Sequence, residues 1–386
     1  MRNISIGIDL GSERTRVVVG EFLRGEKYPK IIGLGESQTL GVRRGYVVDL
    51  ELARDSVREA LEGAEKSSEL KITRAIISVS GTSLRGETSS GLAMVSKADG
   101  EVTNLDVKHA LEECEDNLNL GNRKIVHVFP TSFRLDGKDV LGRPEGMRGT
   151  KLEAKALYVT YSSQHLEDLL EVMASAKVES TDVVASGVAA HSLVLSEKQK
   201  IVGTALVDIG AQTTKIAVYE NGSLISLHTL SIGSEDITND IALGFKIPLE
   251  AAEKLKLGDV GVEYSRKKLD EIIEARLSDI FELIENHFKK IKRNELLPAG
   301  VVFIGGGANI TGLEEFSKSA LKLPSRVGAI EIFGSAKTKL RDPAWATALG
   351  LVIYGRDSDS VLEGSFFGVF KDIKNAIKAN LKQLMP

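Results

Sequence analysis

Short apolar runs alternate with amphipathic segments along most of the chain. The apolar runs predict strands at residues 4–9, 14–22, 30–34, 75–79 and 181–185, a strand pair within 203–219, and a buried strand at 301–304. Apolar positions at helical spacing predict helices at 50–67, 164–176, 236–243, 249–255, 269–291 and 345–354, with another beginning near residue 313. Alternating strands and helices with glycine at the junctions indicate an α/β architecture.

The segment 83–159 departs from this alternation. Its pattern predicts short strands at 90–95, 124–129, 131–135 and 155–160 around one helix at 105–118. Residues 136–150 are rich in glycine and charge. We therefore interpret 83–159 as a subdomain inserted into the first domain.

Composition narrows the class of protein. A length of 386 residues predicts two or more domains, and a net charge of −4 gives no sign of nucleic-acid binding by bulk charge. The single cysteine excludes a disulfide framework or a cysteine-rich metal site. No apolar run reaches the roughly 20 residues of a transmembrane helix, and the chain opens on a strand pattern rather than a signal peptide. We expect a cytoplasmic protein.

Two stretches about 200 residues apart share one pattern, GIDLGSERTRV at 7–17 and LVDIGAQTTKI at 206–216. Both keep Asp-x-Gly, a threonine six residues after the aspartate, and then a basic residue. Each predicts two strands joined by a glycine turn, which can present backbone N–H groups to a phosphate. A spacing this long indicates two similar domains rather than a solenoid.

Three motifs together favour a nucleotide site. The phosphates are expected against the N–H groups of the two turns, which comprise Gly11, Ser12, Glu13, Arg14, Gly210, Ala211, Gln212, Thr213 and the adjoining Thr214. Asp9 and Asp208 end their strands and are candidates to hold Mg²⁺ through water. A base or ribose is expected against Gly305, Gly306, Gly307 and Asn309 after the 301–304 strand. Each motif alone could be an ordinary polar hairpin or a tight turn.

The ordered set resembles the actin-like ATPase superfamily. This resemblance implies a two-domain actin-like fold, with duplicated ribonuclease H-like domains around a cleft for ATP and Mg²⁺. Residues 186–191 and 342–350 resemble the two connecting helices of that fold. Residues 251–256 match a helix whose Glu and Lys hold ribose and base, which gives those roles to Glu253 and Lys256.

Within the superfamily the chain resembles the FtsA family of bacterial cell-division proteins, through the segments 233–242, 127–130 and 146–149. The resemblance implies the following division of the chain: 1–82 and 160–202 form subdomain 1A, closed by the helix 342–355; 83–159 is an FtsA-type subdomain 1C; 203–232 and 299–341 form 2A; 233–298 is 2B; 356–364 is a linker; and 365–386 is an amphipathic membrane-targeting helix.

The final segment has an amphipathic pattern of its own. At helical spacing its apolar residues form one stripe with lysines along the flank, which is typical of a helix lying in a membrane interface. The residues predicted to contact the membrane are Phe366, Phe367, Phe370, Ile373, Lys374, Ile377, Lys378, Leu381, Lys382 and Leu384. The four lysines of the segment argue against a helix that spans the membrane. The alternative is a terminal helix docked on the protein's own surface.

The family resemblance also implies partners and a place in the cell. It implies a self-polymer at the division septum, on the cytoplasmic side of the membrane with an anionic lipid surface, and binding of the FtsZ C-terminal peptide, for which Arg276 is a candidate contact. Ser186 stands where the efficient hydrolases of the superfamily carry Glu or Gln, so the expected ATPase activity is slow.

Other classes of protein remain open alternatives. A soluble actin-like adaptor of type IV pilus assembly would share the fold and need no amphipathic tail. A chaperone ATPase would need a substrate domain after the ATPase body, where only about 35 residues follow. A sugar kinase would need a carboxylate base near the transferred phosphate, and the sequence nominates no additional one in the first domain.

Overall fold

The structure is a computed structural model that describes residues 3–26, 28–258, 264–330 and 338–360. The predicted membrane helix 365–386 and the linker residues 361–364 lie outside the described residues.

The first part of the chain contains the strands β1 (Asn3–Leu10), β2 (Arg14–Phe22), β3 (Lys30–Gln38), β4 (Val42–Arg43) and β5 (Tyr46–Val47), the helix α1 (Leu50–Ser68), and then β6 (Arg74–Val79), β7 (Arg85–Met94), α2 (Asn104–Asp116), β8 (Arg123–Leu135), β9 (Lys138–Val140), β10 (Lys151–Ser162), α3 (Ser163–Ser175) and β11 (Glu179–Ala185).

The second part contains α4 (Ser186–Ala189), α5 (His191–Val194), α6 (Glu197–Val202), β12 (Thr204–Ile209), β13 (Thr214–Glu220), β14 (Ser223–Leu230), α7 (Ser234–Phe245), α8 (Leu249–Lys256), α9 (Arg266–Lys290), β15 (Val301–Ile304), α10 (Leu313–Leu321), β16 (Ser325–Val327) and α11 (Ala346–Ser360). Single 3-10 turns lie at Gly306–Asn309, Thr338–Arg341 and Pro343–Trp345.

Two five-stranded sheets share one topology. The first has the order β3-β2-β1-β6-β11 and the second β14-β13-β12-β15-β16. In each sheet, neighbouring strands among the first three are antiparallel. The last two run parallel to the third strand, which is β1 in the first sheet and β12 in the second. The registers are equivalent as well, because Asp9 pairs with Arg16 and Asp208 with Lys215. The duplicated α/β fold predicted from the repeated motif is confirmed.

The inserted segment forms a separate sheet of order β7-β10-β8-β9, covered by α2. Gly91 of β7 allows this helix to lie close, because a Cβ there would be 2.4 Å from the Ala110 carbonyl oxygen. Cys114 of α2 is fully buried against the same sheet, where its thiol donates to the Ala154 carbonyl at 3.4 Å. Burial raises the pKa of this thiol to about 11.

Several element boundaries differ from the sequence predictions. The two strands predicted at 124–129 and 131–135 are one strand, β8, whose register against β10 shifts where Pro130 stands. Proline cannot donate to the ladder, and a bulge accommodates it without ending the strand. The strand β14 was not predicted. Helix α11 continues through residues 356–360, so this part of the predicted linker is helical.

The two domains meet where α11 crosses the short helices α4 and α5. A Cβ on Gly350 of α11 would lie 2.2 Å from the Ala189 carbonyl oxygen, and one on Gly7 of β1 would lie 2.7 Å from the Ala348 carbonyl oxygen. The helix therefore packs backbone against backbone on both sides. A single hydrophobic cluster runs through this junction and includes Leu206 and Ala217 of the second sheet.

We predict that Gly350→Ala destabilises the protein by about 1–3 kcal/mol, because the added methyl group meets backbone that cannot rotate away. Urea or thermal unfolding measures the change. The matched control is Gly244→Ala in α7, where the methyl group meets the flexible end of Ile272 and the helix gains propensity. Equal stability of the two variants would contradict the prediction.

Candidate functional site

The two repeated motifs fold into equivalent turns. Gly11 N–H donates to the Arg14 carbonyl at 3.2 Å, and Gly210 N–H donates to the Thr213 carbonyl at 2.9 Å. The second turn is also fixed to the start of α7, since Ser234 and Glu235 N–H donate to the carbonyls of Gly210 and Ala211. The predicted phosphate turns therefore have a defined shape before any ligand is considered.

Asp9 and Asp208 lie near the ends of β1 and β12, close enough for their charges to interact; Asp208 is buried and Asp9 is half-buried. Ser78 Oγ donates to Asp9 Oδ1 at 2.6 Å, and Lys215 Nζ pairs with Asp208 Oδ2 at 3.0 Å. Burial raises the pKa of Asp9; the Ser78 hydrogen bond and the Lys215 charge oppose this shift, while the Asp208 charge adds to it. Two neighbouring carboxylates with restricted solvation are a donor set that fits a hydrated Mg²⁺.

The glycine-rich motif of the second sheet lies against Asp208. A Cβ on Gly305, which has φ +86°, would lie 2.3 Å from Asp208 Oδ1, and one on Gly307 would lie 2.3 Å from Ile209 Cγ2. A Cβ on Gly306 would meet nothing within 4 Å. The outer two glycines thus allow the segment to rest on the end of β12, and the middle one presents open backbone. Asn309 Nδ2 donates to Asp342 Oδ1 at 2.9 Å.

The residues assigned to ribose and base lie on α8 beside α7. Lys256 Nζ is bound to the Ser234 carbonyl, Thr238 Oγ1 and Glu253 Oε2, with its side chain 8% exposed. Glu253 is 45% exposed and accepts from the Thr238 hydroxyl. Lys256 is therefore held inside the protein, and the Glu253 carboxylate is the more accessible of the two groups.

Charges from both domains meet across the cleft. The pKa of Glu13, in the first turn, is raised by burial, partly offset by Arg14, and raised further by Glu235 and Glu253 of the second domain. The first turn therefore lies close enough to α7 and α8 for their carboxylates to act on Glu13.

Ser186 and Arg276 occupy different surroundings. Ser186 begins α4 with 1% exposure, and its hydroxyl has no hydrogen-bond partner among the described residues. Arg276 on α9 makes a two-pronged pair with Asp240 at 2.6 and 2.9 Å and also contacts Asp279 at 3.1 Å. Ser186 is thus a buried polar group next to the domain junction. Arg276 belongs to a half-exposed ion pair on the face formed by α7 and α9.

Four residues near the site were not predicted from the sequence to have a role there. Lys215 and Arg16 are the basic residues of the repeat, and they hold Asp208 and Glu36 respectively; their shared position was visible in the sequence. Ser78 lies outside every motif. Arg44 contributes a backbone N–H to Gln212 Oε1, a contact that has no sequence signature because any residue except proline has that donor.

Neither a membrane-spanning helix nor a direct metal site occurs among the described residues. No described helix is both long enough and apolar enough to span a bilayer. Within the same part of the chain, no group of three or more His, Cys, Asp and Glu side chains is arranged to hold a metal ion directly.

Comparisons with known proteins agree with the fold and with the inserted subdomain. Residues 205–350 match the family model "Cell division protein FtsA", and residues 81–160 match "SHS2 domain inserted in FTSA". Among solved structures, the chain resembles the PilM-PilN type IV pilus biogenesis complex (TM-score 0.69, 17% identity, 91% of this chain and 98% of that one). It also resembles MreB5 of Spiroplasma citri bound to ADP (TM-score 0.53, 13% identity, 94% and 99%). These two likenesses show the actin-like fold.

Sequence similarity identifies the family within that fold. The cell division protein FtsA of Bacillus subtilis (strain 168) is 30% identical over 369 residues, which cover 90% of this chain and 82% of the relative. With an actin-like duplicated fold and the FtsA-type insert both in place, this chain belongs to the FtsA family of cell-division proteins.

Proposed function

We propose that this protein binds ATP with Mg²⁺ in the interdomain cleft, polymerises on the inner face of the cytoplasmic membrane, and tethers the FtsZ ring to that membrane through its C-terminal segment. The observation that carries the nucleotide part is the convergence of the two phosphate turns and the Gly305–Gly307 segment around Asp9 and Asp208. Asp9 and Asp208 would hold the hydrated metal, which would neutralise charge on the phosphates.

The proposed role of ATP is to close the cleft and favour assembly, with slow hydrolysis at most. Orienting the attacking water is a large part of phosphoryl-transfer catalysis. The residue at the start of α4 is Ser186, a buried hydroxyl, where a longer Glu or Gln would reach a water. ATP would then persist long enough to act as a structural ligand.

The proposed membrane attachment rests on the sequence of residues 365–386. One amphipathic helix gives marginal, reversible binding, and four lysines add attraction to anionic headgroups. A polymer would place many such segments on one surface and raise the overall avidity. Assembly in the ATP-bound state would therefore strengthen attachment.

A soluble pilus-type adaptor is the weaker candidate. It is supported by the fold likeness to the PilM-PilN complex at 17% identity, whereas the FtsA family match rests on sequence. An adaptor of that kind would also have no use for the amphipathic pattern of the final segment.

We predict opposite effects of Asp9→Asn on stability and on nucleotide binding. Partial burial holds the pKa of Asp9 above its ordinary 3.8, so the ionised form lowers the stability of the fold at neutral pH. An asparagine amide that still accepts from Ser78 removes that cost. The melting temperature without nucleotide should rise by about 2–4 °C. Affinity for a fluorescent ATP analogue with Mg²⁺ should fall roughly 10- to 100-fold, as loss of a charge-assisted contact gives.

The stability gain should disappear on acidification. A carboxyl group whose pKa is raised in the folded state makes the protein less stable as the pH rises above 3.8. The stabilities of the unaltered protein and of Asp9→Asn should therefore converge near and below that pH. The control is Asp139→Asn on the exposed β9, which should change neither property. Unchanged nucleotide affinity in Asp9→Asn would contradict the assigned site.

We predict that the full chain, with ATP and Mg²⁺, co-sediments with vesicles containing anionic lipid and that a chain ending at Leu362 does not. Each of the four lysines would be attracted to the anionic lipid, and salt screens that attraction. Binding to the vesicles should therefore weaken as the salt concentration increases. Failure of the full chain to sediment under any lipid condition would favour a docked terminal helix and the soluble adaptor.

We predict that Arg276→Glu weakens binding of the FtsZ C-terminal peptide, measured by fluorescence anisotropy. Because Arg276 is paired with Asp240, the reversal also places like charges together, and circular dichroism must show an intact fold. Asp240→Asn is the companion variant. It leaves Arg276 in place and weakens the ion pair that competes with the peptide for this side chain. If both variants weaken the peptide equally, the ion pair has a structural role and Arg276 is not the contact.

A further inference from the structure

The small hairpin of β4 and β5 lies between the two phosphate turns. Arg44 N–H donates to Gln212 Oε1 at 2.7 Å, and Gly45 N–H donates to Ser12 Oγ at 3.3 Å. Ser12 belongs to the first turn and Gln212 to the second. Two successive amides of residues 42–47, which we call the cleft turn, therefore join the two halves of the nucleotide site.

The backbone of the cleft turn is shaped for this position. Arg44 has φ +51° and Gly45 φ +82°, so two consecutive residues adopt the left-handed region. A Cβ on Gly45 would lie 2.5 Å from the Gly81 Cα, and one on Gly81 would lie 2.4 Å from the Arg44 carbonyl oxygen. This backbone-to-backbone contact requires glycine at both positions and fixes the cleft turn against the segment that follows β6.

The other side of the cleft turn contacts the root of the inserted subdomain. The Tyr46 hydroxyl is hydrogen-bonded to the Thr82 hydroxyl, where the chain enters the insert. Tyr161 Oη, where the chain leaves it, donates to the Gly45 carbonyl at 3.3 Å and to the Ser80 carbonyl at 3.0 Å. The Tyr46 ring also lies 4.1 Å from the His165 ring. Both chain crossings into the insert are thus tied to one short hairpin.

We infer that the cleft turn is a latch across the nucleotide site that transmits the state of the cleft to the inserted subdomain. The inference rests on the proposed binding of nucleotide. Phosphates bound to the two turns hold Ser12 and Gln212 in place, and with them both acceptors of the latch. Opening the cleft separates Gln212 from Arg44, while the Ser12 contact stays within the first domain. Coupling of this kind is reciprocal, so the latch also slows nucleotide release.

The first experiment measures release of a fluorescent ATP analogue by stopped flow. Gln212→Met keeps the length of the side chain and the backbone N–H but removes the acceptor for Arg44. We expect release about 3- to 10-fold faster, the effect of losing one hydrogen bond. The control is Ser223→Ala, which removes a different contact between the second sheet and the insert, the 2.7 Å bond from Ser223 Oγ to the Pro130 carbonyl. Its release rate should match that of the unaltered protein.

The second experiment measures amide hydrogen exchange with and without ATP and Mg²⁺. In the unaltered protein, nucleotide should slow exchange at 42–47 and at the root segment 80–84. Tyr46→Phe keeps the ring beside His165 but removes the hydroxyl bonded to Thr82. It should bind nucleotide normally, keep the effect at 42–47 and reduce it at 80–84, where the Gly45–Gly81 and Tyr161 contacts remain.

The possible results distinguish failure of the latch from failure of the proposed nucleotide binding. If the unaltered protein binds no nucleotide, both proposals are overturned. If it binds nucleotide but Gln212→Met releases it at the unaltered rate, the latch alone is overturned. If Tyr46→Phe keeps full protection at 80–84, the transmission to the insert is overturned.

Discussion

Direct backbone contact at the domain junction is the constraint on which the site depends. Gly350 brings α11 against the carbonyl of Ala189, and Gly7 brings the same helix against β1. A side chain at Gly350 would displace α11 from α4, and one at Gly7 would displace it from β1. Helix α4 packs in turn on β12 and β13 of the second sheet. The packing of β1, α11, α4 and β12 in this order therefore sets how Asp9 and Asp208 stand relative to each other.

The carboxylates near Asp9 and Glu13 carry an energetic cost. The half-buried Asp9 lies next to Asp208, and Glu13 is close to Glu235 and Glu253, so negative charge is concentrated here. Lys215 and Ser78 offset part of this by holding one carboxylate each. Binding sites commonly retain such unfavourable arrangements where function requires them. A metal-bound nucleotide would supply positive charge to the aspartates and contacts to the turns together.

The repeated motif was the strongest predictor of the fold, because Asp9 and Asp208 mark the same strand end in two copies of one sheet. Local patterns placed most helices, and the glycine motif lies against the end of β12, beside Asp208. They could not reveal β14, whose short alternation is weak, although the equivalence with β3 would have required a strand there. Nor could they join 124–129 with 131–135, since proline ordinarily ends a strand. Contacts through backbone amides, such as Arg44 with Gln212, leave no trace in residue identity.

The burial of Cys114 has a practical consequence. A thiol with a pKa of about 11 and no exposed surface is almost entirely protonated at neutral pH, so it reacts slowly with maleimides and mild oxidants. It is also the one cysteine of the chain. Cysteines introduced on the surface of each domain would carry spectroscopic labels without a background signal. The width of the cleft could then be followed in real time without first removing a native cysteine.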